Sequence, residues 1–134
     1  MGLKTTVKEM VAAANAEIET IGIDDAKGLL RDEGVLFVDI RDVRELDREG
    51  MIPGALHAPR GMLEFWVDPQ SPYHKEVFAS SCKFVFYCAS AWRSALATKA
   101  LQDMGLEPVA HLEGGFMGWK EDGGEVVERP SKKS

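Results

Sequence analysis

The chain has 134 residues, 45% of them apolar and 28% charged, with 16 basic against 22 acidic side chains and a formal charge of −6. That length fits one domain able to bury a core without disulfide staples. The acidic balance argues against nucleic acid as a main partner, because phosphate backbones are held by clustered Lys and Arg.

No apolar run approaches the roughly 18–20 residues that cross a membrane, so no membrane partner is expected. The opening MGLKTTVKEM lacks the apolar core of a secretory leader. Gly2 and Thr6 match a permissive N-myristoylation pattern, which we read as a chance match. Within TTVKEMVAAANAEIE, residues Val7, Met10, Val11, Ala14 and Ile18 recur on one helical face. We assign residues 1–19 to an N-terminal helical extension. A short strand is expected at TIG. DDAKGLLRDEG reads as a helix with an Asp cap and Gly34 as its stop. VLFVDIR, residues 35–41, is a continuous apolar run ending in charge, the pattern of a strand buried on both faces.

RDVRELDREGMIPGA is polar and is punctuated by Pro53 and Gly54, so it reads as a loop, with a short strand at LHA. RGMLEFW and SPYHKEVFAS look helical on either side of the turn cluster DPQSP. KFVFYC, residues 83–88, is the clearest strand in the chain. RSALATKALQDMG then places Leu96, Ala97, Ala100, Leu101 and Met104 on one helical face and stops at Gly105. PVAHLEG is a last strand, and GGFMGWKEDGG a Gly-rich loop with a short helix. We take residues 20–124 as one domain and 125–134 as a tail, with RPSKKS a frayed basic end.

Strands alternating with helices indicate βαβ units and a mostly parallel sheet. Ligands of such sheets bind beyond the carboxyl ends of the strands. Cys88, last residue of the clearest strand, stands there. After it, Ala89, Ser90, Ala91, Trp92, Arg93 and Ser94 lead into a helix. A loop of this kind can curl so that successive N–H groups meet at one point, and the helix adds unpaired N–H groups and its positive end. A sulfur at that centre would be held as a nucleophilic thiolate, with Arg93 and Ser94 as further donors to a bound anion. The plainer reading is a buried apolar cysteine ending a strand, which we keep for Cys82. The two thiols, six residues apart along one strand, would be about 20 Å apart, whereas a bridge needs under about 7 Å. Two free thiols suit a reducing compartment such as the cytoplasm.

Four segments in order resemble the rhodanese family of sulfurtransferase domains: VLFVDIRDVREL, GMIPGALHAP, FVFYCASAWRSALATKALQDMG and LEGGFMGWKEDG. The resemblance covers about residues 20–122. It implies an α/β fold with about five mostly parallel strands and helices on both faces, in three layers. It implies that Cys88 accepts a sulfane sulfur from a small anionic donor such as thiosulfate. The resulting persulfide would pass to cyanide, a thiol or a protein acceptor. Six residues from Cys88 to Arg93 inclusive fit sulfur transfer, whereas related cell-cycle phosphatases carry one more. A persulfide carrier serving one protein partner and a small cysteine phosphatase are the rival readings.

Three departures from the family pattern stand out. Ala91 replaces the usual loop glycine, at a cost of about 1–2 kcal/mol if φ is positive there, Met51 replaces a histidine, and Ala89, not a basic residue, follows the cysteine. Asp39 and Arg41, at the end of the second predicted strand, are expected to brace the Cys88 loop. Trp92 either packs down or forms a docking surface. Phe65, Trp66 and Tyr73 read as core, with the mouth of a pocket as the alternative, and Phe116 and Trp119 read as core. His57, His74 and His111 show no metal-ligand spacing and no Gly-rich phosphate motif follows a strand. No metal or cofactor is therefore expected.

Overall fold

The computed structural model describes residues 2–130. Five strands form one all-parallel sheet in the order β1-β5-β4-β2-β3. They are β1 (Glu19–Ile21), β2 (Val35–Asp39), β3 (Leu56–His57), β4 (Lys83–Tyr87) and β5 (Val109–Leu112). The helices are α1 (Val7–Asn15), α2 (Ile23–Leu29), α3 (Val43–Glu49), α4 (Leu63–Val67), α5 (Trp92–Met104) and α6 (Gly115–Glu121).

The two-residue period of β4 explains the layering. Phe84, Phe86 and Cys88 face one side and join Leu63, Val67, Ala97 and Leu101 of α4 and α5. Val85 and Tyr87 face the other and join Ala26, Phe116 and Trp119 of α2 and α6. The three-layer α/β fold expected from the sequence is the fold observed.

Several local expectations need correction. The stretch read as a loop after residue 41 contains α3, begun by Asp42, whose side chain accepts from the Arg44 N–H. Its seven residues carry five charges, which hid a helix that buries only Leu46. The cap of α2 is Gly22, and Asp24 and Asp25 lie in its first turn. That helix ends near Leu30, before Gly34. SPYHKEVFAS holds only a 3₁₀ turn, Glu76–Ala79.

On α1 the buried residues are Val11 and Ala14, while Val7 and Met10 are exposed. Thr6 caps this helix through a reciprocal bond with Glu9. On α5 the buried set is Ser94, Ala95, Ala97, Thr98 and Leu101, with Met104 exposed. This helix is covered on two sides, by the sheet and by α1, so its burial is wider than one stripe. Phe65 and Tyr73 are exposed and meet edge to face, against the core assignment. Phe116 and Trp119 are fully buried.

The start of the predicted tail is tied down. Val127 exchanges backbone bonds with Met51, Trp119 Nε1 donates to the Glu125 carbonyl, and Arg129 pairs with Asp47 at 2.6 Å. The rest of the expected frayed end, residues 131–134, lies outside the described residues. Among the described residues, no helix is long and apolar enough to cross a membrane.

Candidate active site

The strand after β2 (β3) and the strand after β4 (β5) lie on opposite sides of the β2–β4 pair. The crevice that such a reversal opens is beyond the carboxyl ends of β2 and β4. Cys88 directly follows β4 there and is fully buried. The loop Ala89–Ala91 then turns into α5 through a left-handed residue: Ala91 has φ +79° and ψ 0°. The position needs the glycine-like conformation, and alanine adopts it. That turn directs the N–H groups of Ala91 and Ser94 onto Cys88 Sγ, at 3.2 and 3.3 Å.

Ala91 offers α5 no capping side chain. Ser94 is the third helical residue, whose N–H has no partner within the helix. The Cys88 sulfur takes the place that a serine or aspartate cap would fill. The sulfur accepts from two backbone N–H groups at the positive end of a 13-residue helix.

The floor of the loop is held by α6. Phe116 N–H donates to the Cys88 carbonyl at 2.8 Å and Met117 N–H to that of Ala89 at 3.1 Å. The approach needs Gly115: a Cβ there would lie 2.6 Å from the Ala89 carbonyl oxygen, at a φ of +63°. GGFMGW, read from the sequence as a loop and a helix, is thus the lower half of the cradle.

Asp39 and Arg41 form a buried bidentate pair, with Arg41 Nε and Nη2 at 3.0 and 2.7 Å from the carboxylate. Nη2 also donates to the Gly50 carbonyl, and the guanidinium lies 4.2 Å from the Phe116 ring centroid. Tyr87 O accepts from the Ile40 N–H beside them. Arg41 of the pair therefore touches Phe116, whose N–H donates to the Cys88 carbonyl. Burial, then the Asp39 charge, push the Tyr87 phenol far above its ordinary range, so its hydroxyl stays neutral and accepts from Ile52 N–H.

Two side chains expected to point into the loop point elsewhere. Arg93 lies on Glu45 of α3, at 3.1 Å. Both groups are partly exposed, and such pairs are worth about 0–1 kcal/mol, so a bound anion could claim the guanidinium at small cost. The Ser94 hydroxyl bonds His111 Nδ1 at 2.8 Å, and only its backbone N–H faces the sulfur. Ser90 and Trp92 are exposed and Ala89 is half-buried. Trp92 thus stands out from the loop.

His111 has no assigned role in the sequence reading. The alternation of β5 buries it against α5, and its Nε2 meets Asn15 Oδ1 at 3.0 Å. Burial holds its pKa at about 4, so the imidazole is neutral near neutral pH. His57 Nε2 lies 2.8 Å from the Arg41 carbonyl and His74 Nδ1 2.9 Å from that of Trp66. Among the described residues, no cluster of His, Cys, Asp and Glu could hold a metal ion. Cys82 and Cys88 are both free thiols.

A buried cysteine held by backbone N–H groups at the carboxyl end of the central strand of a parallel α/β sheet is the class that fold and site define. The family model for the rhodanese-like domain matches residues 23–122, and the chain belongs to that family. A mouse protein named thiosulfate sulfurtransferase/rhodanese-like domain-containing protein 3 is 26% identical over 100 residues, 71% of this chain and 64% of that protein. This chain thus spans just under two thirds of that relative. A solved Rhodopseudomonas palustris protein of unknown function, described as a possible tyrosine phosphatase, is 52% identical with a TM-score of 0.92; the match covers 95% of this chain and 98% of that one. The Wolinella succinogenes polysulfide-sulfur transferase, a homodimer, is 30% identical with a TM-score of 0.68, covering 95% and 90%.

Proposed function

We propose that this protein is a sulfurtransferase that carries sulfane sulfur as a persulfide on Cys88. The observation that carries the reading is the pair of backbone N–H groups, from Ala91 and Ser94, on the Cys88 sulfur. The Cys88 thiolate attacks the outer sulfur of thiosulfate, the S–S bond of the donor breaks, and sulfite leaves with the bonding electrons. The outer sulfur of the Cys88 persulfide is then taken by cyanide, as thiocyanate, or by a thiol, and the thiolate returns. No external base is required, since the cradle itself favours the anion. Arg93, released from Glu45, and the backbone of Ala89–Ser94 hold the charged donor. Asp39 and Arg41 support the loop through Phe116. The sulfurtransferase names of the mouse and Wolinella proteins favour the same chemistry. Two free thiols favour a reducing compartment, and we place the protein in the cytoplasm.

The test is the intact mass of the reduced protein after brief exposure to thiosulfate, with peptide mapping. One added sulfur atom on Cys88, removed by cyanide and absent from Cys88→Ser, is the expected result. An unmodified Cys88 that remains open to alkylation would overturn thiosulfate as donor.

The description of the Rhodopseudomonas protein favours a second reading, phosphate-monoester hydrolysis at the same cysteine. Six residues from Cys88 to Arg93 make a smaller cradle than the seven of related phosphatases. Sustained release of phosphate from an aryl phosphate, lost in Cys88→Ser, would establish that reading over ours.

A further inference from the structure

We propose that His111 is a positioning residue of the sulfur cradle: fixed as its Nε2–H tautomer by Asn15, it binds the Ser94 hydroxyl at Nδ1 and withholds that O–H from Cys88. Ser94 faces two ways. Its backbone N–H is on the sulfur at 3.3 Å and its Oγ is on His111 Nδ1 at 2.8 Å. A serine has one hydroxyl proton to give. The carboxamide oxygen of Asn15, 3.0 Å from Nε2, can only accept. Nε2 therefore carries the single N–H of the neutral ring, and Nδ1 is left as an acceptor. The Ser94 proton satisfies it.

The sulfur is thereby left with main-chain donors alone. A hydroxyl added to them would stabilise the thiolate further, and a more stabilised thiolate is a weaker nucleophile. Keeping the hydroxyl away preserves the attacking power of the sulfur. Asn15 ends α1, which lies outside the 23–122 match to the family. The N-terminal helix thus contributes to the site from behind, two hydrogen bonds from the residue that faces the sulfur. That purpose rests on the sulfur-transfer reading, but the arrangement itself is testable without any sulfur donor.

Nitrogen-15 spectra of the histidine-labelled protein read the tautomer directly. We expect His111 Nε2 protonated and Nδ1 bare and hydrogen-bonded; a protonated Nδ1 overturns the proposal. The second measurement is the rate of Cys88 alkylation by iodoacetamide at about pH 10, where thiols are ionised. In His111→Leu the freed Ser94 hydroxyl turns to the sulfur as a further donor, and the better-stabilised thiolate should react about twofold more slowly. In a Ser94→Ala background the same His111→Leu change should have no effect. An equal change in both backgrounds, or none with Ser94 present, would show His111 to be merely a packing residue. Thiosulfate takes no part, so a failure to load sulfur leaves these outcomes readable.

Discussion

Ala91 holds φ +79° with a methyl group attached. The left-handed conformation costs an L-residue about 1–2 kcal/mol, and glycine would avoid that cost while losing more freedom on folding. Ala91→Gly should therefore stabilise the protein by about 0.5–1 kcal/mol, visible as a melting temperature higher by about 2–4 °C. The alanine has a geometric use as well as a cost. It stiffens the residue that sends its own N–H and that of Ser94 onto the sulfur. The placement of this residue and of Cys88 together at one strand end could be read from the chain, because both sit within one continuous stretch. His111 could not be, because its partners Ser94 and Asn15 lie 17 and 96 residues away, and no local pattern joins them.

At the scale of elements, the ends of β2 and β4 act as one unit. Asp39 and Arg41 are buried at the end of β2, and one guanidinium nitrogen, Nη1, has no partner among the described residues. Removing the carboxylate leaves a buried cation uncompensated, at a cost of about 3–5 kcal/mol. Asp39→Ala should show that loss in urea unfolding, and adding Arg41→Met should restore most of it. Full stability in the single variant would mean that the pair carries no structural weight. The strands themselves were legible, since Val35–Val38 and Phe84–Tyr87 are uninterrupted apolar or aromatic runs. Helix α3 was not, because its burial amounts to Leu46 and its charges resemble those of a loop. Missing α3 also hid Glu45, the carboxylate on which Arg93 rests. The direction in which Arg93 points was therefore beyond reach of the sequence alone.

For the molecule as a whole, His111 links stability to pH. Its pKa is about 4 in the folded protein against an ordinary value of 6.5, and burial is the cause. The unfolded chain binds this proton more readily, so stability falls as pH drops through 6.5 and levels off below about 4. Between pH 7 and pH 5 the loss from this group is about 2 kcal/mol. Unfolding free energies at those two pH values, compared between the wild type and His111→Leu, isolate it, because the carboxylates are common to both. An identical pH response in the two proteins would contradict the neutral buried imidazole. The overall architecture was readable because a parallel sheet is written in runs that need no long-range knowledge. The seat of α1 on α5 was not, since Val11 and Ala14 meet Ala95 across some eighty residues of chain.

The complete burial of Cys88 shapes traffic at the loop. The thiol presents no surface to solvent, so only reagents small enough to enter the loop reach it. On the sulfur-transfer reading, a persulfide would carry its transferable atom one bond beyond that buried position.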